Sequence, residues 1–183
     1  MTEWEKLREQ IAGLQSDIAP FRAEFLDRDS FNELYNRLDF DIRGYKQICI
    51  TGYFSETIRD KLQKILRNKC HVRLLVPEFP MNTRRDKRNI EALKKLEKAG
   101  AEIKFNNRLH ARLMVAYTSY TNNPLPQGLL VIGSFDFNTE CIGRERYDAG
   151  IMTRNPDLLQ SAIDFFQKVW NDSESRYLQE VIS

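Results

Sequence analysis

Apolar positions along this chain change rhythm once, near residue 45. Before it they recur at alternating steps of three and four: Trp4, Leu7, Ile11, Leu14, Ile18, Phe21 and Phe25. That stripe predicts helix over residues 2–26, in the rhythm of a helix–helix seam. Pro20 either kinks it or opens a second helix at its first turn. The stripe fits an ordinary helix lying on its own domain and equally a helix packed against a partner chain. Ser30 and Glu33 have capping-box spacing ahead of Phe31, Leu34, Tyr35 and Leu38, which predicts a further helix ending near Gly44. From Tyr45 onward short runs rich in β-branched residues predict strands over 46–54, 72–76, 101–105, 109–117, 128–133 and 149–153. Helices are predicted over 55–69, over 89–99 with Gly100 closing it, and from Pro156 with Leu159, Ile163, Phe166 and Trp170 inward. Residues 118–127 read as a polar loop with two prolines.

Strand–helix alternation at the start predicts an α/β domain with a largely parallel beginning, and the shorter later connections predict antiparallel additions. The runs VRLLV and LLVI are apolar at every position, as expected when helices cover both faces of a sheet. No linker rich in Gly, Pro or Ser interrupts the chain. The expected division is an N-terminal helical extension over 1–44, docked on a main body over 45–183.

Composition narrows the class without naming a function. A chain of 183 residues with 42% hydrophobic and 30% charged residues suits one soluble domain. The balance of 28 basic against 26 acidic residues is too even to require nucleic acid, though a local patch can still bind it. No stretch is long and apolar enough to span a membrane, and the charged opening MTEWEKLREQ reads as neither signal peptide nor lipid anchor. A cytoplasmic protein without a membrane partner is therefore expected. Three cysteines (Cys49, Cys70 and Cys141) without a CxxC pair predict reduced thiols rather than disulfides or a zinc site.

The chemistry-bearing residues gather late in the chain. His110, one of two histidines, stands two residues before Arg112 in a predicted strand, so both point to one face. Ser134 follows Gly133 at a strand end, and Asp136, Asn138, Arg144, Glu145, Arg146 and Asp148 come after it. One reading is an internal ion network around a satisfied histidine, with Asp136, Glu145 or Asp148 pairing the arginine. The other is phosphoryl chemistry. His110 would attack phosphorus, while Arg112, Ser134 and backbone N–H groups hold the oxygens. A leaving alkoxide then needs a proton, and His71 lies at the wrong end of its strand. A second His110 from another chain would supply it, which favours a twofold dimer. The basic run Arg84, Arg85, Lys87 and Arg88 follows the second strand of the α/β body, where it is either a solvated turn or a guide for a phosphate backbone. No metal or other cofactor is expected, since HExxH, EF-hand, P-loop and GxGxxG patterns are all missing.

These residues resemble the signature of the phospholipase D-like superfamily: His-x-Lys, an aspartate five residues after the lysine, then a strand ending Gly-Ser-x-Asn. His110 matches the histidine, and Gly133 and Ser134 match the glycine and serine. Arg112 stands at the lysine position, Tyr117 at the aspartate and Asp136 at the asparagine. The resemblance implies a mixed sheet flanked by helices, here preceded by N-terminal helices. It also implies a metal-independent phosphodiesterase, of nuclease type, whose site is shared by two subunits. His110, Arg112, Ser134 and Asp136 would be its catalytic residues, and Asn138, Arg84, Arg85, Arg144 and Arg146 would bind substrate. Lysine to arginine alters reach, asparagine to aspartate adds negative charge near the phosphate, and loss of the aspartate removes a support of the histidine. Those departures favour the alternative, a non-catalytic homodimer of the same fold with a nucleic-acid-binding or regulatory role.

Overall fold

The computed structural model describes residues 22–182, apart from 43, 53, 55, 79–81, 122 and 136–147. Cys141 and the stripe upstream of Arg22 lie outside the described residues. The chain builds β1 (Ala23–Leu26), α1 (Arg28–Asp41), β2 (Gln47–Thr51), α2 (Glu56–Arg67), β3 (His71–Val76), α3 (Arg84–Lys98) and β4 (Glu102–Phe105). There follow β5 (Leu113–Tyr120), β6 (Asn123–Gly133), β7 (Gly150–Thr153), α4 (Pro156–Trp170), β8 (Arg176–Tyr177) and α5 (Leu178–Val181). One mixed sheet has the order β1-β7-β6-β5-β2-β3-β4-β8. Only β2, β3 and β4 run parallel, and every other pairing is antiparallel.

Alternation along the strands sorts the core into two layers. Ile48, Ile50, Leu74, Val76, Met114, Ala116 and Val131 pack with Phe31, Leu38, Ile58, Leu62, Leu93 and Leu96 of α1, α2 and α3. On the opposite face Cys49, Leu75, Leu113, Val115, Tyr117 and Leu130 meet Leu159, Ile163, Phe166 and Trp170 of α4. Among the described residues, α1, α2 and α3 thus cover one face and α4 the other. Burial raises the thiols of Cys49 and Cys70 to about 11, so both remain protonated near neutrality.

Several elements differ from their expected form. Residues 23–26 are a strand, although Phe25 continues the three–four rhythm. Over four residues helical and extended periods cannot be told apart, and pairing with β7 decides the matter. The next helix is capped by Asp27 rather than Ser30. Asp27 accepts from the Ser30 backbone N–H at 2.9 Å, and Ser30 Oγ accepts the Asp27 N–H at 2.9 Å. Residues 118–127 form a hairpin instead of a loop, with Thr118 opposite Gln127, Tyr120 opposite Asn123, and a register irregularity between. Within β6 only Leu130–Gly133 pair with β7, so Pro124 and Pro126 face no second ladder there and are tolerated.

Candidate active site

The C-terminal ends of the parallel strands β2 and β3 lie on the same edge as the start of β5, the end of β6 and the start of β7. That edge carries the candidate residues. β5 begins only at Leu113, so His110 and Arg112 sit in an irregular lead-in rather than in the expected strand. Asn106 explains why. Its side chain accepts from the Arg108 N–H at 2.9 Å and donates to Ser175 Oγ at 2.8 Å, and its carbonyl accepts from Leu109 at 3.3 Å. The resulting turn carries the chain across the sheet edge, and His110 emerges exposed.

A threonine absent from the sequence-based reading fixes the lead-in. Thr51, fully buried at the end of β2, donates its hydroxyl to the Ala111 carbonyl at 2.8 Å and accepts from the Leu113 N–H at 3.1 Å. Gly52 follows with φ +131°, and a Cβ there would stand 3.4 Å from Arg112 Cγ, so the arginine stem lies along the glycine. Gly133 N–H donates to the Arg112 carbonyl at 3.2 Å, which makes the His-x-Arg and Gly-Ser segments direct neighbours. A signal for Thr51 and Gly52 does exist in the sequence: an apolar strand that ends in a small polar residue and a glycine.

Ser134 is exposed at the end of β6 and anchored by its neighbours. Its hydroxyl donates to Asp148 Oδ1 at 2.7 Å and accepts from the Ala149 N–H at 3.2 Å, while its own N–H donates to the Ala149 carbonyl at 3.0 Å. Gly133 and Gly150 pair across β6 and β7 beneath the Phe135 ring, where a Cβ on either would come within 2.8 Å of that ring. Phe135 in turn stacks on Phe31 at 4.0 Å between centroids. Phe135 and Phe54 are both buried, so neither offers a face to a nucleobase.

Tyr117 does not touch the histidine. It is buried in β5, five residues beyond Arg112 and, at about 3.4 Å per residue, about 17 Å along the strand. Its hydroxyl donates to Gln47 at 2.8 Å. The residue at this position supports the far end of the sheet, so the loss of aspartate here leaves the His110 surroundings intact. His71 is at that same far end, where it bonds Glu102.

Arg84 and Arg85, placed in a loop by the sequence, form the first turn of α3. Thr83 caps that turn, accepting from the Asp86 N–H at 3.1 Å, and Asp86 accepts the Thr83 N–H at 3.0 Å. The bonds from Thr83 hold the Asp86 carboxyl below its ordinary range. Four cations within the first five residues of a helix oppose its dipole, with Asp86 the one acidic residue there. Asp136, Asn138, Arg144 and Arg146 lie outside the described residues.

A cavity of about 300 Å³ opens beside the site, with His110, Leu109, Ala111 and Arg108 on one wall and Phe165, Val169 and Asp172 on the other. Among the described residues no group of three or more His, Cys, Asp or Glu side chains is placed to hold a metal ion, and no helix is long and apolar enough to cross a membrane.

Comparison with known proteins gives this arrangement its family. The fold matches part of polyphosphate kinase from Porphyromonas gingivalis with a TM-score of 0.71 at 17% identity, over 85% of this chain and 27% of the kinase. The chain thus spans about a quarter of that enzyme. It matches Nuc from Salmonella typhimurium, a phospholipase D family member, with a TM-score of 0.61 at 16% identity, covering 85% of this chain and 95% of Nuc. NucT from Helicobacter pylori matches with a TM-score of 0.63 at 10% identity, covering 85% of this chain and 98% of NucT. At such identities the likeness is one of fold. A search of curated protein sequences returns no match. The family model described as cardiolipin synthase, PLD-like domain, matches residues 44–170 and so takes in the whole sheet edge built around His110, Arg112 and Ser134: the chain belongs to the phospholipase D-like family.

Proposed function

We propose that this chain is a metal-independent phosphodiesterase acting on nucleic acid, through His110 as nucleophile in a site completed by a second subunit. The observation that carries the reading is the Gly133–Arg112 backbone bond, which joins the two motif segments at one sheet edge within the family fold. A ring nitrogen of His110 attacks phosphorus, and the P–N bond forms as the P–O bond to the leaving oxygen breaks. The imidazole of a second subunit's His110 gives that oxygen its proton. Water then attacks phosphorus and yields its proton to that second imidazole, and the P–N electrons return to His110. Arg112 neutralises the phosphate oxygens, and Arg84 and Arg85 guide the flanking backbone. Ser134, exposed at the strand end and positioned by Asp148, holds the same phosphate oxygens.

The test is hydrolysis of labelled DNA and RNA by the wild type and by His110→Ala. A fall of about 10³-fold or more is expected, with loss of the covalent intermediate trapped by a denaturing quench at alkaline pH, where the P–N bond survives. Unchanged turnover in His110→Ala sinks the proposal. The engagement of the Ser134 hydroxyl by Asp148 favours a second reading, a non-catalytic nucleic-acid-binding homodimer. That reading requires no turnover in the wild type and binding that weakens steeply with salt.

A further inference from the structure

Among the described residues nothing covers one corner of the sheet face beneath α4. Phe25, Ile151 and Ile132 are cross-strand partners in a single row over β1, β7 and β6. They are 71%, 38% and 39% exposed, whereas Leu113, next in the row on β5, is buried under α4. Directly paired residues share a face, so the row lies on the α4 side. Along α4 itself Leu158 and Phe165, seven residues apart and on one flank, are 45% and 40% exposed. Phe165 lines the cavity beside Leu109 and Ala111, which lead into β5, so that flank borders the same corner. Apolar surface gathered this way calls for a cover.

The sequence supplies one of matching size. Upstream of Arg22 the stripe Trp4, Leu7, Ile11, Leu14 and Ile18 is separated by mostly polar and charged positions, and Pro20 breaks the rhythm. The chain enters the fold at Arg22, whose carbonyl accepts from Thr153 Oγ1 at 2.9 Å, three residues before Phe25. Fifteen helical residues would extend about 22 Å, enough to cross the corner. The seven-residue spacing of Leu158 and Phe165 is also the spacing that a three–four stripe meets on a neighbouring helix. We propose that residues 4–18 fold back at Pro20 as an amphipathic helix and lay this stripe on the corner of their own chain, beside α4 and over Phe25, Ile151 and Ile132. The proposal stands whether or not the site turns over substrate.

The test is cross-linking of the full chain carrying Leu14→Cys and Ile151→Cys in a Cys141→Ser background, with a short bis-maleimide. Cys49 and Cys70 are buried and stay silent in the folded protein. Isotopically light and heavy chains are mixed unfolded, refolded together, cross-linked and digested. Light–light and heavy–heavy linked peptides alone are expected. Mixed peptides in statistical proportion would assign the cover to a second copy and overturn the proposal. So would failure to link 14 to 151 while the cross-strand control Phe25→Cys with Ile151→Cys links. A Leu7→Asp, Leu14→Asp variant should bind an apolar fluorescent dye several-fold more than the wild type. Unchanged dye binding would count against the cover.

Discussion

The two halves of the sheet are built to different standards. In the β2–β3–β4 half, parallel strands lie beneath α1, α2 and α3 on one side and α4 on the other, and Ile48, Leu74 and Leu75 have no more than 1% exposure. In the β6–β7–β1 half the strands are antiparallel, and the row through Ile132, Ile151 and Phe25 is open on one side. A parallel strand needs helical crossovers, and these cover it as a by-product of connectivity. An antiparallel strand needs no helical crossover, so any cover has to come from elsewhere in the chain, as α4 does for Leu130 of β6. The candidate site lies where the two halves meet, between Thr51 of the covered half and Gly133 of the open one.

The sharpest way to test that contrast is truncation on each side. Leu74→Ala should cost about 2–5 kcal/mol in denaturant melts, because it leaves a cavity that the flanking helices cannot close. Ile151→Ala in the Leu7→Asp, Leu14→Asp background, where the proposed cover is broken, should cost under about 1 kcal/mol, and a loss equal to that of Leu74→Ala would erase the distinction. Next in size is Gly133→Ala, expected to destabilise by about 1–3 kcal/mol. Its Cβ would meet the Ala149 carbonyl at 2.7 Å and the Gly150 Cα at 2.9 Å, both backbone atoms that cannot step aside. Asn155→Ala should cost about 1 kcal/mol. It removes the side-chain acceptor of the Asp157 and Leu158 N–H groups at 2.9 and 3.0 Å, at the start of α4.

The smallest effect concerns pH. Bonds from Ser30 hold the Asp27 carboxyl below the ordinary aspartate range. A depressed native value stabilises above the unfolded value and is lost as pH falls through the native one. The α1 start should therefore loosen only below about pH 4. Amide exchange at Ser30 should show this in the wild type, with a flatter acid limb in Asp27→Asn.

Much of this fold was legible in the sequence because burial on two faces leaves continuous apolar runs. β3, the LLVI core of β6, and α4 with its Pro156 start were all readable that way. What escaped depends on partners far along the chain. β1 is a strand only because β7 is there to pair with it, and the 118–127 hairpin tolerates its prolines only because β7 stops at Thr153. The start of α3 moved by five residues because the Thr83–Asp86 box outweighs four cations at a helix start. At the site, the order His110, Arg112, Ser134 was legible and its geometry was not. The Asn106 turn lifts the histidine out of the strand, Asp148 takes the Ser134 hydroxyl, and Tyr117 turns out to serve the opposite end of the sheet.

Thr51 has one more implication. Its single hydroxyl grips the peptide units on either side of Arg112, through the Ala111 carbonyl and the Leu113 amide. The guanidinium is thus aimed from the protein interior by an atom that solvent never reaches. Exchanging Thr51 for valine would keep the packing shape yet strand two main-chain groups at once, so a buried, uncharged position would govern how firmly the proposed site could grip a phosphate.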